Sequence, residues 1–371
     1  MSVPKQTALV KNRSDARMHP LILGIESSCD ETAAAVVRDG REVLSDIVAT
    51  QHELHEQFKG VVPEIASRAH VERILPVIRA ALAAARVAPQ ELDAIAVGNR
   101  PGLIGSLLVG TSAAKAMAWS LGKPFIGVDH VAAHLFAGLL EAPPCAFPTL
   151  GLVVSGGHTT LFHVRNPLSL EVLGRTVDDA MGEAYDKAAT ILGLGYPGGP
   201  LVDQLAQRGD DSTFAFPVAN VTRDGARTLD WSFSGLKTAL LYATRGMPER
   251  GRRGEPPRFP REATALDDAQ RANLAASFQR AATAGILRNV AAALDLHAVP
   301  TLLVGGGASA NSRLRAELAA LCEARGVDLR LPPMRWCIDN AAMIAGFAAH
   351  RVRRGESDPL GLAPQPLSAF R

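Results

Sequence analysis

The feature that most restricts this chain is a pattern it uses twice. Residues 21–37 read as an apolar run, LILGIE, a small polar turn, SSCDET, and a second apolar run, AAAVV. The same order returns later: Leu150 to Ser155, then Gly156-Gly157-His158-Thr159, then Thr160 to Val164. Short apolar runs bounded by Gly, Ser, Thr and Asp are strand and turn signals. Two such starts, each followed by helical periods, predict a duplicated α/β architecture with two similar halves.

The rest of the chain fits that frame. An Asp39-Gly40 turn leads from the first start into a third strand, REVLSDIVA. Pro63 to Ala85 has apolar residues at helical spacing, and Leu92 to Val97 is a buried-type strand before the breaker run Asn99-Arg100-Pro101-Gly102. After a strand at Pro124 to Val128 comes a helix around His130 and His134, then the connector Glu141-Ala142-Pro143-Pro144. The second half carries helices at Asp179 to Leu192 and Ala269 to Leu294, a strand at Thr301 to Val304 running into Gly305-Gly306-Gly307, and a helix from Ser312.

Composition narrows the class. With 371 residues, 47% hydrophobic and 20% charged, the chain can bury two ordinary cores. A formal charge of +2 names no partner, so a nucleic-acid surface has to come from a local basic patch. Cys29, Cys145, Cys322 and Cys337 form no CxxC pair, which predicts free thiols in a reducing cytoplasm. The most apolar stretch, Leu103 to Leu121, is broken by Gly, Ser, Thr and Lys115, so no membrane span or membrane partner is expected.

Several groups of residues could carry chemistry. His130 and His134 stand four apart on a helical stretch, so both imidazoles face one way and can share a metal; a pair of core histidines has the same spacing. Asp339 offers a third ligand or, equally, a helix N-cap. Three small-residue turns, at Ser27 to Asp30, Ser155 to His158 and Gly305 to Asn311, could hold phosphate through backbone N–H groups or simply turn the chain. Asp179, Glu183 and Asp186 share a predicted helical face, which is either a solvated stripe or a set of acceptors for ribose hydroxyls.

Taken together, GIESSCDETAAAVV, GVVPEIASRAHVERI, PGLIGSLLVG, DHVAAHLFA, VSGGHTTL, DDAMGEAYDKAATILGLGYPGGP, FSGLKTAL, GGGASANSRLR and CIDNAAMIA resemble, in order, the tRNA N6-adenosine threonylcarbamoyltransferases of the bacterial TsaD branch. The resemblance implies an actin-like, duplicated two-lobed fold with the active site in the cleft between lobes. It implies one divalent ion, Fe2+ or Zn2+, on His130, His134 and Asp339, and the donor threonylcarbamoyl-AMP against Val153, Val154, Ser155, Gly156, Gly157, Asp186, Gly199, Asp203 and Asn311. The acceptor would be N6 of adenosine 37 in tRNAs reading codons that begin with A. Implied partners are tRNA, a TsaB-like paralogous subunit, a TsaE-like ATPase and a TsaC-type synthase that makes the donor. Whether ATP also binds the cleft stays open, and the general base is unassigned; His158 is a candidate proton acceptor that could equally just orient its turn.

On this reading residues 1–20 are a flexible tail. Residues 21–140 form the first lobe, completed by a C-terminal helix at about 345–371, and 148–340 the second, with a basic loop at 245–261. That loop holds six arginines against two glutamates and could contact phosphate. Asn99-Arg100, the long basic loop and the N-terminal tail depart from the family pattern. An actin-fold kinase or ATPase is the alternative function, since a fold alone does not fix chemistry. A zinc peptidase of the HExxH kind is disfavoured because Val131 stands where its glutamate would be. A non-catalytic scaffold has no need of the cleft motifs.

Overall fold

The computed structural model describes residues 18–58, 60–249, 258–262 and 266–370. Two five-stranded sheets organise it. In the first, β1 (Leu21–Glu26), β2 (Glu31–Arg38), β3 (Glu42–Thr50), β4 (Ala94–Arg100) and β5 (Phe125–Asp129) lie in the order β3-β2-β1-β4-β5. In the second, β6 (Thr149–Val154), β7 (Thr159–Asn166), β8 (Ser169–Arg175), β11 (Thr301–Gly305) and β12 (Asp328–Arg330) lie as β12-β11-β6-β7-β8. A small hairpin, β9 (Thr222–Arg223) with β10 (Ala226–Arg227), stands apart.

Read from the other edge, the second sheet has the topology of the first. Each opens with an antiparallel meander and then adds two parallel strands on the far side of its first strand. The duplication seen in the turns therefore extends to strand order and direction.

Strand alternation sorts the cores. Leu21, Leu23 and Ile25 of β1 face α2 (Pro63–Ala85) and α3 (Ile104–Leu121), while Ile22 faces the middle of the molecule. In the second sheet, Leu150, Leu152 and Val154 face a layer formed by α5 (Met181–Ile191), α6 (Gly198–Ala206), α7 (Ser234–Arg245), α8 (Asp268–Leu296) and α9 (Ser312–Ala324). Val153, Phe162 and Val164 point the other way and join the central cluster.

That central layer holds two helices, α4 (His130–Phe136) and α10 (Ala341–Arg353), packed between the sheets. All seven residues of α4 are buried, and α10 turns Ala341, Ala342, Ala345, Ala348 and Ala349 inward. Small side chains let α10 lie close against the first sheet, while α4 touches strands of both. Polar residues enter this layer on α4, at His130 and His134, and just ahead of α10, at Asp339 and Asn340, which is where the site forms.

Three expectations are corrected. The strand expected to end at Val97 continues to Arg100, because Gly98 and Arg100 pair with Val128 and Asp129. Asp179 precedes α5 instead of sharing its face. The C-terminal helix starts at Ala341 and ends at Arg353, where Gly355 N and Glu356 N cap back onto Val352 and Arg351 carbonyls and Pro359 follows. Beyond it the chain is irregular and returns along the first sheet, with Asp358 N bonded to Phe125 O at 2.8 Å and Gln365 N to Asn99 O at 2.9 Å. The tail at 1–17 and most of the basic loop, 250–257, lie outside the described residues.

Candidate active site and metal centre

His130 opens α4 directly after β5, and Asp129 caps the helix by accepting from Val131 N and Ala132 N. The four-residue spacing then places the two imidazoles 4.4 Å apart, ring to ring. Asp339 arrives from the N-terminal side of α10. It does not cap that helix: Asn340 does, accepting from Met343 N at 2.9 Å. The Asp339 carboxylate is thereby left to face the histidines, with Oδ1 3.3 Å from His130 Nε2 and 3.2 Å from His134 Nε2.

The trio fits a metal ion on its own chemistry. Neither ring nitrogen of His134 has a hydrogen-bond partner, although the side chain is 1% exposed; the Asp339 oxygen is near but poorly aligned. An orphaned buried imidazole is costly without a ligand. Two imidazoles and one carboxylate are donors that suit iron or zinc and keep coordination positions open. Burial disfavours the charged imidazolium of His130, but Asp339 and Glu26 outweigh it and hold the ring well above its usual range. His134 goes the other way, lowered by burial and by His130. Burial likewise works against the charge on Asp339, yet the two histidines keep its carboxyl well below the usual carboxylate range.

Glu26 is a residue the sequence reading missed. It ends β1, is fully buried, and accepts from Ser28 N at 2.6 Å and from His130 Nδ1 at 3.0 Å. Its seat exists because Gly98 lacks a side chain: a Cβ there would sit 2.4 Å from Glu26 Oε2. A carboxylate on Nδ1 fixes the proton on that nitrogen and turns Nε2 toward Asp339. Glu26→Gln is expected to lower metal affinity about 10–100-fold with little loss of fold. Titration of metal-free protein with Zn2+ checks this; unchanged affinity would mean that the contact is only structural.

Above the trio opens a cavity of about 740 Å3, and all three turns singled out in the sequence line it. Ser28, Cys29 and Asp30 come from the β1–β2 turn, Ser155 to His158 from the β6–β7 turn, and Gly307, Ala308, Ala310 and Asn311 from the turn after β11. His130, Asp339, Asp186, Gly199 and Asp203 complete the wall. His134 lies beneath it, while Val153 and Val154 are buried in β6 with their side chains in the cores on either side of the sheet.

Asp186 accepts from Gly198 N at 2.8 Å, and burial raises its carboxyl above the usual range. Asp203 accepts from Ser312 N, Ser312 Oγ and Gln279 Nε2 at 3.0, 2.7 and 3.0 Å. Gln279 Oε1 in turn accepts from Asn311 Nδ2 at 3.0 Å, so one buried glutamine of α8 ties two wall residues together. The other acidic residues of the predicted stripe stay outside: Asp179 pairs with Lys187 at 2.6 Å and Lys237 at 2.8 Å, and Glu183 with Lys187 at 2.7 Å.

On the first-sheet wall stands a second polar group, also missed. His52 Nε2 lies 3.3 Å from Glu31 Oε1 and 3.7 Å from Asp30 Oδ2, with Tyr196 and Asp339 facing the same space. Burial pushes the Glu31 carboxyl up to about 8, which the nearby histidine opposes and Asp339 and Asp30 reinforce. The Cys29 thiol is held well above its usual range by burial and by Asp30, so it is no ready nucleophile.

Known proteins resemble this chain over most of its length. A family model described as tRNA N6-adenosine threonylcarbamoyltransferase matches residues 42–346. A protein of that name from Symbiobacterium thermophilum is 50% identical over 93% of this chain and 96% of its own length. Its namesake from Anaeromyxobacter dehalogenans is 49% identical over 90% and 95%, and that from Sorangium cellulosum 46% over 94% and 96%. Among solved structures, HypF of T. kodakarensis superposes with a TM-score of 0.57 at 14% identity, covering 91% of this chain and 48% of that one. That likeness carries the fold alone, the two-lobed actin-like arrangement with a cleft between its halves. With the match spanning nearly the whole chain, this protein belongs to the TsaD family of tRNA N6-adenosine threonylcarbamoyltransferases.

Proposed function

We propose that the chain transfers the threonylcarbamoyl group from threonylcarbamoyl-AMP to N6 of adenosine 37 in tRNAs reading codons that begin with A. The observation that carries this reading is the meeting of the His130–His134–Asp339 trio with three backbone turns in one cavity. Relatives at 46–50% identity bear this transferase name, and a kinase reading finds no comparable support. The lobes divide near the Pro143-Pro144 connector, as the two sheets suggest.

In this reading the turns at Ser155 to Gly157 and Gly307 to Asn311 hold the adenylate, with Asp203 and Asp186 toward the ribose and Gly199 against it. Val153 and Val154 shape the first of these turns from behind. His130, His134 and Asp339 hold one Fe2+ or Zn2+ ion, which when bound supplies positive charge to polarise the anionic donor. The N6 amine attacks the carbamoyl carbon, the new N–C bond forms as the C–O bond to phosphate breaks, and AMP leaves with the electron pair. The N6 proton passes to the Glu31–His52 pair, a carboxylate and an imidazole in contact on the facing wall; His158, on the turn across the cleft, is the second candidate.

Because the Glu31 carboxyl is raised to about 8, its basic form grows with pH, and transfer by wild type is expected to rise between about pH 6 and 9. Glu31→Gln should lose that rise along with about 100-fold or more in kcat, leaving KM for the donor nearly unchanged. A pH–rate profile of the two proteins checks it; an unchanged profile assigns the proton elsewhere.

A TsaB-like subunit is the expected partner, supported by apolar residues exposed on neighbouring helices: Val71 and Leu75 of α2, Ile104 and Leu108 of α3. The TsaE-like ATPase, the TsaC-type synthase and binding of ATP in the cleft rest on the resemblance. A cytoplasmic location agrees with the free cysteines, and among the described residues no helix is long and apolar enough to cross a membrane. The experiment for the whole reading supplies tRNA lacking the modification with donor, partners and this chain. Modified tRNA that appears only with all of them supports it, while ATP consumption without modified tRNA returns the kinase alternative.

A further inference from the structure

A second cavity, of about 450 Å3, meets the reaction cleft at the β6–β7 turn, where Gly157 and His158 line both. Neither Gly156 nor Gly157 has any neighbour that an added Cβ would touch, so the divide between the cavities is a thin, open piece of backbone. The volume is that of a small-ligand site, roughly 300–1,000 Å3.

Its lining brings cationic and aromatic side chains together. Arg175 and Arg223 both face it. Among the described residues the Arg175 guanidinium makes no hydrogen bond or ion pair, and Arg223 has one contact of 3.4 Å to Asp230 with its side chain 70% exposed. The one carboxylate on the wall, Asp178, is occupied by Ser232 Oγ, Ser234 Oγ and Phe233 N. Phe370 lines the same cavity, and its ring meets Phe162 edge to face at 5.3 Å. Residues 368 and 369 are held there, since Ser368 Oγ and Ala369 N both donate to Asp129 Oδ2 at 2.8 Å, one residue before His130. Two arginines for a phosphodiester and an aromatic face for a base are the means by which proteins hold single-stranded nucleic acid.

We propose that this cavity seats the nucleotide next to the target adenosine in the tRNA, its phosphodiester on Arg175 and Arg223 and its base against Phe370. The proposal rests on the transfer reading above: a target base that enters the cleft over the Gly157–His158 divide leaves its neighbour on the other side. Recognition of loop RNA by splayed, stacked bases has this form.

The test uses the full-length chain with its partner proteins. Arg175→Ala with Arg223→Ala is expected to weaken tRNA binding about tenfold and to reduce the slope of log affinity against log salt by about 1. Phe370→Ala should weaken binding about tenfold while leaving the slope alone. Arg175→Lys, which keeps the charge, serves as the folding control and should bind nearly as wild type. AMP affinity measured in parallel should not change in any variant. Unchanged tRNA affinity and slope in the double variant overturn the proposal, even as transfer by wild type continues. A loss of inorganic phosphate or AMP binding with tRNA binding intact overturns it too, by making the cavity a small-anion site. Absence of transfer by wild type is a different failure, that of the reading on which the proposal rests.

Discussion

His134→Ala is expected to abolish metal binding and to reduce transfer by about three orders of magnitude, the scale of losing electrostatic stabilisation at the reacting group. Metal analysis should fall from one ion per chain to none. The loss should leave the fold standing, for a reason specific to this residue: neither ring nitrogen of His134 has a well-aligned hydrogen bond, and Asp339 Oδ1 at 3.2 Å keeps His130 as a partner when it goes. Removing a buried imidazole whose polar contact is this one poorly aligned approach offsets part of the cavity it leaves, so metal-free variant and metal-free wild type should melt within a few degrees of each other. His134→Ala protein that keeps its ion and its rate would remove the trio from the mechanism.

Gly305→Ala is expected to be the most damaging small substitution near the site. Gly305 ends β11 against α4, and an added Cβ would lie 2.0 Å from the carbonyl oxygen of His134 and 2.5 Å from its carbon. Backbone cannot rotate aside as a side chain can. Either β11 or α4 must shift, and overpacking of this kind costs about 3 kcal/mol. Because α4 carries His130 and His134, the two proposed metal ligands, affinity for the ion should fall with stability. Gly361→Ala, where an added Cβ meets nothing, is the control and should change stability by less than about 0.5 kcal/mol. Thermal melting of both variants, with and without Zn2+, checks the pair; equal melting temperatures would mean that the β11–α4 contact has slack.

The two halves were legible because strand alternation and turn chemistry are local. LILGIE-SSCDET-AAAVV carries its own geometry, and its later counterpart forms the same pair of strands in the second sheet. Less legible was anything set by contact across the chain. Spacing left Asp339 balanced between ligand and cap; the cap proves to be its neighbour Asn340, and Asp339 lies beside the two histidines. Glu26 read as the polar end of a strand; its role depends on His130, 104 residues later, and on the space left by Gly98. His52 stood among ordinary polar residues, and only the close pairing of β2 and β3 brings it to Glu31. The C-terminal helix was drawn too long because its stop lies in backbone caps, while the irregular segment beyond follows partners on β4 and β5 that no period announces.

The most direct measurement is a single turnover: isolated threonylcarbamoyl-AMP, unmodified tRNA and the metal-loaded protein with its partners, with AMP and the nucleosides of digested tRNA counted together. One N6-threonylcarbamoyladenosine formed for each AMP released is the expected result. AMP released without modified nucleoside would contradict the account, because the cavity would then hydrolyse the donor instead of joining it to tRNA.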